Sequence, residues 1–190
     1  MTPLCRGCEE SLVPLPADRA PSVRPLARVV AAWGFGGALA SAIRRLKFTG
    51  ATHVARTLAP LWSPVLAAAV DEYEAVVVPV PLHWRRRLQR GFDQTWLLAE
   101  HACMHARIER PATWLRRIRA SPAQSTLSAA QRAANLDGAF AVRSGVPVAG
   151  RSIILVDDVV TTGATLAAAA RPLLAAGATK VVGVSVARAE

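Results

Sequence analysis

The sequence predicts an α/β fold, a parallel sheet with helices on both faces. Three observations point to it. Val76–Val78, Ile153–Val156 and Val181–Ala187 are short, unbroken apolar runs rich in β-branched residues, the pattern of strands buried on both sides. Ala- and Leu-rich stretches with helical spacing separate them, so strands and helices alternate along the chain. Two of the runs lead straight into chemically distinctive loops, Pro79 to His83 and Asp157 to Thr165. In a parallel sheet such loops leave the carboxyl ends of the strands and face one crevice.

The composition sets the bounds. A chain of 190 residues with 52% hydrophobic residues makes one domain with a proper core, taken as residues 26–190 behind an N-terminal arm, 1–25. The formal charge of +10 points to polyanionic partners, nucleic acid or phosphorylated small molecules. Lys47 and Lys180 are the only lysines, so a compositional preference for arginine over an ordinary surface reads equally well. No uninterrupted apolar run reaches the roughly 18 residues of a membrane span, and Met1–Leu15 lacks the apolar core of a secretory signal. Cys5, Cys8 and Cys103 form an odd set with no disulfide framework, which places the chain in a reducing cytoplasm.

In chain order, Cys5-Arg-Gly-Cys8 has the spacing of half a zinc knuckle. A structural zinc needs four ligands and no second pair follows, so two unpaired thiols in an arm are favoured over Zn²⁺. Pro14, Pro16, Pro21 and Pro25 make Val13–Pro25 an extended linker. Val29–Phe35 reads as a strand, Gly36-Gly37 as a turn, and Ala38–Phe48 as a helix with Leu39, Ile43 and Leu46 on one face. Arg44, Arg45 and Lys47 sit near its C-terminal end, where the macrodipole favours cations and where a partner is the sharper reading. Helices are expected from about Thr52 to Leu61 and from Ser63 to Asp71. The Val76–Val78 strand stops at Pro79-Val80-Pro81.

His83 to Gln94 is the most basic segment. Arg85, Arg86, Arg87 and Arg90 follow a strand-end loop, where they can neutralise a pyrophosphate or a nucleic-acid backbone, or line a solvated helix face. Arg86 and Arg90 share a helical face. Trp84 is expected in the core, with base stacking as the alternative. Gly91 breaks this segment and a new helix runs from Trp96 toward Met104. Ile118–Leu136 is polar and interrupted by Pro122. Gly177 stops the last helix before the Val181–Ala187 strand.

The sharpest chemistry lies in Ile153–Leu166. A strand, the small residues Thr161, Thr162, Gly163, Ala164 and Thr165, and a helix N-terminus make a phosphate site: unpaired backbone N–H groups face the anion and hydroxyls add donors. Asp157 and Asp158 are placed to accept from vicinal ribose hydroxyls or to hold a divalent cation. This VDDVVTTGAT stretch resembles the loop that binds 5-phosphoribosyl-1-pyrophosphate (PRPP) in type I phosphoribosyltransferases.

A narrower resemblance follows. PVPLHWRRRLQRGFDQTWLLA is similar to the PVPLH…RGFNQ…LA signature of the ComF (GntX-like) competence-protein family. Leu115-Arg116-Arg117, Gln124, Leu127-Ser128, Arg132, Asn135 and Gly138–Phe140 follow its R…Q…LS…R…N…GAF pattern, and Leu46–Gly50 its LKF-x-G element. The resemblance implies a type I phosphoribosyltransferase-like fold, a PRPP-type ligand bound with Mg²⁺, and a part in natural transformation. The implied partners are single-stranded DNA and competence-machinery proteins. Asp157 and Asp158 would hold the ribose, Thr161–Thr165 the 5′-phosphate, and Pro81, His83, Arg85, Arg86 and Arg90 the pyrophosphate or nucleic acid. Gln124, Ser128, Arg132 and Asn135 would form a lid, or a helical cap on the sheet edge. An active transferase with an unidentified acceptor is the alternative to a binding protein, with His83 the candidate base. The chain departs from the family in lacking a second CxxC pair, and in carrying Asp93 where Asn is usual.

Overall fold

The computed structural model describes residues 4–16, 22–119 and 136–189. In chain order the elements are α1 (Arg6–Glu10), β1 (Arg28–Gly34), α2 (Gly37–Thr49), α3 (His53–Tyr73), β2 (Val76–Pro79), α4 (Trp84–Arg90) and α5 (Gln94–Ala106). They continue with β3 (Leu115–Arg117), β4 (Phe140–Val142), β5 (Ser152–Val160), α6 (Ala164–Ala175) and β6 (Lys180–Arg188). Four strands form a parallel sheet in the order β1-β6-β5-β2, and β3 and β4 pair antiparallel beside it. β5 is an inner strand: Ile153 sits between Val76 of β2 and Val181 of β6. That position explains why Ile153–Val156 reads as an unbroken apolar run, since all four are buried.

Helices cover both faces, as the alternating pattern predicts. On one face Leu39, Ile43 and Leu46 of α2, Leu58, Trp62 and Leu66 of α3, and Leu98 of α5 pack against Ile154, Val156, Val182 and Val184. On the other, Leu166, Ala169 and Leu173 of α6 meet Ile153, Leu155 and Val181, with Leu115 and Phe140 of the small sheet closing the layer. All four central strands point the same way, so the segments after β1, β2, β5 and β6 leave one edge of the sheet.

Three local expectations change. The two helices expected around residue 62 are one helix, α3, which runs through Pro60 and Pro64. An internal proline costs about 3 kcal/mol. The buried stripe Val54, Leu58, Trp62, Leu66 and Ala69 passes straight through both prolines, and each large buried side chain contributes about 2 kcal/mol, so burial wins. The Trp33 indole N–H also donates to the Leu61 carbonyl at 3.0 Å, bracing the proline-containing stretch against β1. β5 runs on to Val160, so Asp157 and Asp158 lie within a strand and not in the loop after it. The linker is extended, yet its first part is docked: Gly34 donates to the Val13 carbonyl and Leu15 to that of Ala32, laying the arm along the edge strand β1. Among the described residues, no helix is long and apolar enough to cross a membrane.

Candidate functional site

The site is built at the end of β5. Thr161–Gly163 turn the chain and α6 begins at Ala164. Gly163 sits at φ 75°, and a Cβ there would lie 2.8 Å from the Val23 side chain, so glycine is required both by conformation and by space. No side chain caps α6; the nearest substitute is Thr162, whose hydroxyl accepts from the Ala164 N–H at 3.4 Å. A small cavity of about 50 Å³ opens there, lined by Asp157 and by every residue from Thr161 to Leu166. Thr161 and Thr162 are exposed and Thr165 half-exposed. Open first-turn N–H groups, two accessible hydroxyls and a helix N-terminus are what a phosphate group needs.

The two carboxylates part company. Asp158 is buried and turns toward the α2 and α5 side, where Lys47 Nζ lies 2.8 Å from its Oδ1 and Gln94 Nε2 donates to its Oδ2 at 3.2 Å. Gln94 in turn accepts from Arg90 at 2.8 Å. Asp157 turns toward the small cavity, accepting from the Asp158 N–H at 2.9 Å. Burial, then the neighbouring Asp158 charge, push the Asp157 carboxyl up to about 7. Asp157 is therefore the member of the pair open to a ligand, while Asp158 is already satisfied by Lys47 and Gln94.

Several arginines gather beside the acidic pair. Arg86 and Arg90 share a face of α4, as their spacing requires. Burial and the charge of Arg86 hold Arg90 below the ordinary guanidinium range. Arg117, on β3, is lowered by the same two causes, and its charge is felt by Asp157. Arg86, whose charge acts on both Arg90 and Arg117, stands with them beside two acids, and such a cluster can take an anion. Arg85 is displaced from this cluster; it is exposed and lies 5.3 Å from the Trp84 ring. Trp84 is 56% exposed, not in the core, and Leu88 one turn on is 74% exposed. Phe48, also 74% exposed, has Arg90 5.4 Å above its ring.

His83 serves as the N-cap of α4, its Nδ1 accepting from the Arg85 N–H at 3.3 Å. Burial, then Arg117, Arg85 and Arg86, hold its imidazole below its usual range. Nδ1 is thus engaged in the cap, and Nε2 is the nitrogen left for a proton. Asp93 caps α5 from the other side of Gly91: Thr95 and Trp96 donate to Oδ1 at 3.1 and 3.2 Å, and Leu82 donates to Oδ2 at 3.0 Å. Every contact Asp93 makes is as an acceptor, so the donor that an Asn would bring has no use at this position. Pro81 lines a separate cavity beside Asp93, outside the phosphate loop.

The remaining candidates separate in space. Gln124, Ser128, Arg132 and Asn135 lie outside the described residues. Cys5 and Cys8 flank the start of α1, where a hydrogen bond from Cys8 holds the Cys5 thiol below its usual range. Cys103 is buried in the core, its thiol pushed up to about 12 by burial. No three metal-binding side chains gather among the described residues. The CxxC pair thus has two of the four ligands of a structural zinc. For Mg²⁺ the fit is with a ligand present: Asp157 offers one hard oxygen and the phosphate oxygens must supply most of the others. Gln94 and Arg117 are contributors that residue chemistry alone did not single out, and Lys47, read there as a dipole or partner cation, turns inward to Asp158. All three lie in the LKF, RGFDQ and LRR segments, and a buried acidic pair demands counter-charges that only a few residues can provide.

Comparison with known proteins agrees with this geometry. Residues 102–189 match the phosphoribosyl transferase domain family. The chain is 37% identical over 161 residues to the DNA utilization protein YhgH of Escherichia coli K12, covering 83% of this chain and 70% of that protein. It is 33% identical over 131 residues to competence protein F of Haemophilus influenzae, covering 65% of this chain and 56% of the relative. It is also 33% identical over 135 residues to competence protein ComFC of Bacillus subtilis, covering 71% of this chain and 53% of the relative. With a parallel sheet that ends in the DD-x-x-TTG loop and relatives of this identity and coverage, the chain belongs to the ComF family of phosphoribosyltransferase-like proteins.

Proposed function

We propose that this protein binds a phosphoribosyl ligand of the PRPP type at the Thr161–Thr165 loop and supports the handling of single-stranded DNA during natural transformation. The observation behind the first half is the shared cavity: Asp157 and the uncapped start of α6 line one small space, with Arg86, Arg90 and Arg117 near by. In this reading the 5′-phosphate rests on the N–H groups of Gly163 to Leu166 with the hydroxyls of Thr161, Thr162 and Thr165. Asp157 accepts from the ribose hydroxyls, and Asp158 keeps Lys47 and Gln94 in place behind it. The guanidiniums face the pyrophosphate by preorganised electrostatics. Mg²⁺, bound with the ligand, would add charge neutralisation of the phosphates.

The second half rests on the exposed Trp84, Leu88 and Phe48 interleaved with arginines, a surface suited to bases and backbone. The names of the relatives, for DNA utilization and competence, point the same way. Binding without turnover is favoured over transfer to an unidentified acceptor, because exposed Trp84, Leu88 and Phe48 beside arginines suit a nucleic acid better than a small acceptor.

Calorimetric titration of PRPP with Mg²⁺ tests the ligand: heat from the wild type that disappears in Asp157→Ala is expected, and no heat from the wild type removes the proposal. Pyrophosphate release on adding candidate acceptors would promote the transferase instead. For DNA, affinity should fall steeply with salt; binding that ignores salt, or none, would sink that half.

A further inference from the structure

We propose that a second cavity, apart from the phosphate loop, takes a nucleobase that carries a 5′-phosphate. It has a volume of about 340 Å³ and opens at the β2 edge of the sheet, between the start of α5 and the extended segment that precedes β3. Small-molecule sites run from about 300 to 1,000 Å³, so this one is of ligand size. It shares no lining residue with the cavity at the start of α6.

Two kinds of group meet there. Phe92, Trp96, Pro79 and Pro81 offer flat, apolar surfaces, which favour a planar ring over a flexible chain. Arg87, from α4, and Arg143, just after β4, bring two guanidiniums from separate elements, and neither makes an ion pair among the described residues. Asp93 is the one carboxylate present, and its oxygens already accept three backbone N–H groups. Two cations against one committed acid leave the cavity positive, the condition for a phosphate. Inorganic phosphate alone would leave the aromatic walls bare, and an uncharged ring would leave the guanidiniums unused. A base joined to a phosphate answers both.

Arg87 also sits on the helix that carries exposed Trp84 and Leu88, so the cavity adjoins the surface proposed above for DNA. The ligand chemistry has two sources, a free mononucleotide or a residue of single-stranded DNA; only the second rests on the DNA reading. The test follows the indole N–H signal of Trp96 in nitrogen-15-labelled protein, assigned with Trp96→Phe. Deoxyadenosine monophosphate, a short oligodeoxyadenylate, inorganic phosphate and PRPP are titrated separately. The expected result is a saturable shift with the mononucleotide, the oligonucleotide or both, and none with phosphate or PRPP. Ala112→Phe, which fills the cavity from its wall, should weaken that binding about tenfold or more, and exposed Arg143→Ala by about tenfold, the worth of one charge-assisted contact.

A shift with the mononucleotide alone keeps the cavity and assigns it to free nucleotides. Oligonucleotide binding that leaves the Trp96 signal still, together with a silent mononucleotide, overturns the cavity while leaving the DNA surface intact. Affinity at Trp96 that neither variant changes also overturns it.

Discussion

Asp157 and Lys47 show most directly how the site is tuned. Asp157 has its carboxyl raised from an ordinary 3.8 to about 7. That difference corresponds to about 4 kcal/mol against the charged carboxylate, an order of magnitude set by its burial. Below about pH 4 folded and unfolded chains both hold the proton, and the contribution is fully present. As pH rises through about 7 the folded chain gives up a proton it binds more tightly than the unfolded chain does, and the contribution is lost. Asp157→Asn, permanently neutral, should therefore melt several degrees above the wild type at about pH 8 and level with it near pH 4; equal melting at both values would contradict the assignment. Lys47 offers a second test. Its ammonium sits on a carboxylate that is 6% exposed. Lys47→Met strands that charge and should cost about 3 kcal/mol in denaturant unfolding, much of it recovered in the double variant with Asp158→Asn. Additive losses in the double variant would mean that the pair is not coupled.

Among the elements, α4 and the start of α5 form one clamp. His83 caps the first, Asp93 caps the second, and Asp93 also ties back the Leu82 N–H of the strand-end loop. Asp93→Ala should cost about 2 kcal/mol through the lost caps and the released loop. Asp93→Asn, which keeps one oxygen for Thr95 and Trp96, should cost less; equal costs would show that the Leu82 bond is the whole effect. Changing Arg85, Arg86 and Arg90 together to Ala should reduce the steepness of the salt dependence of single-stranded DNA affinity by about 2, at roughly 0.7 per lost phosphate contact. An unchanged slope would place the DNA elsewhere. This segment also marks the limit of what a sequence discloses. The basic helix, its stop at Gly91 and the shared face of Arg86 and Arg90 follow from spacing. That Trp84 is exposed does not, because an aromatic beside four arginines fits a core or a surface equally. The Lys47–Asp158–Gln94–Arg90 chain was equally hidden, since it joins α2, β5, α5 and α4 across 111 positions of sequence at its widest.

The whole molecule is a parallel sheet whose carboxyl edge gathers one loop of small residues, one acidic pair and a cluster of arginines. Alternating apolar runs made that architecture legible, because an inner parallel strand such as β5 must be apolar on both faces. The divergence of the two acids was not legible: adjacency in sequence suggests a shared task, whereas a strand sends neighbouring side chains to opposite sides. The net charge of +10 acts at this scale too, favouring anions of any kind near the surface without choosing among them. In the proposed reading choice belongs to the loop, and the backbone amide signals of Gly163, Ala164, Thr165 and Leu166 report on it directly. Titrating PRPP with Mg²⁺ into nitrogen-15-labelled protein should move these four signals saturably, and leave them still in Asp157→Ala. Signals that stay in place in the wild type, while PRPP binds elsewhere or not at all, would contradict the account.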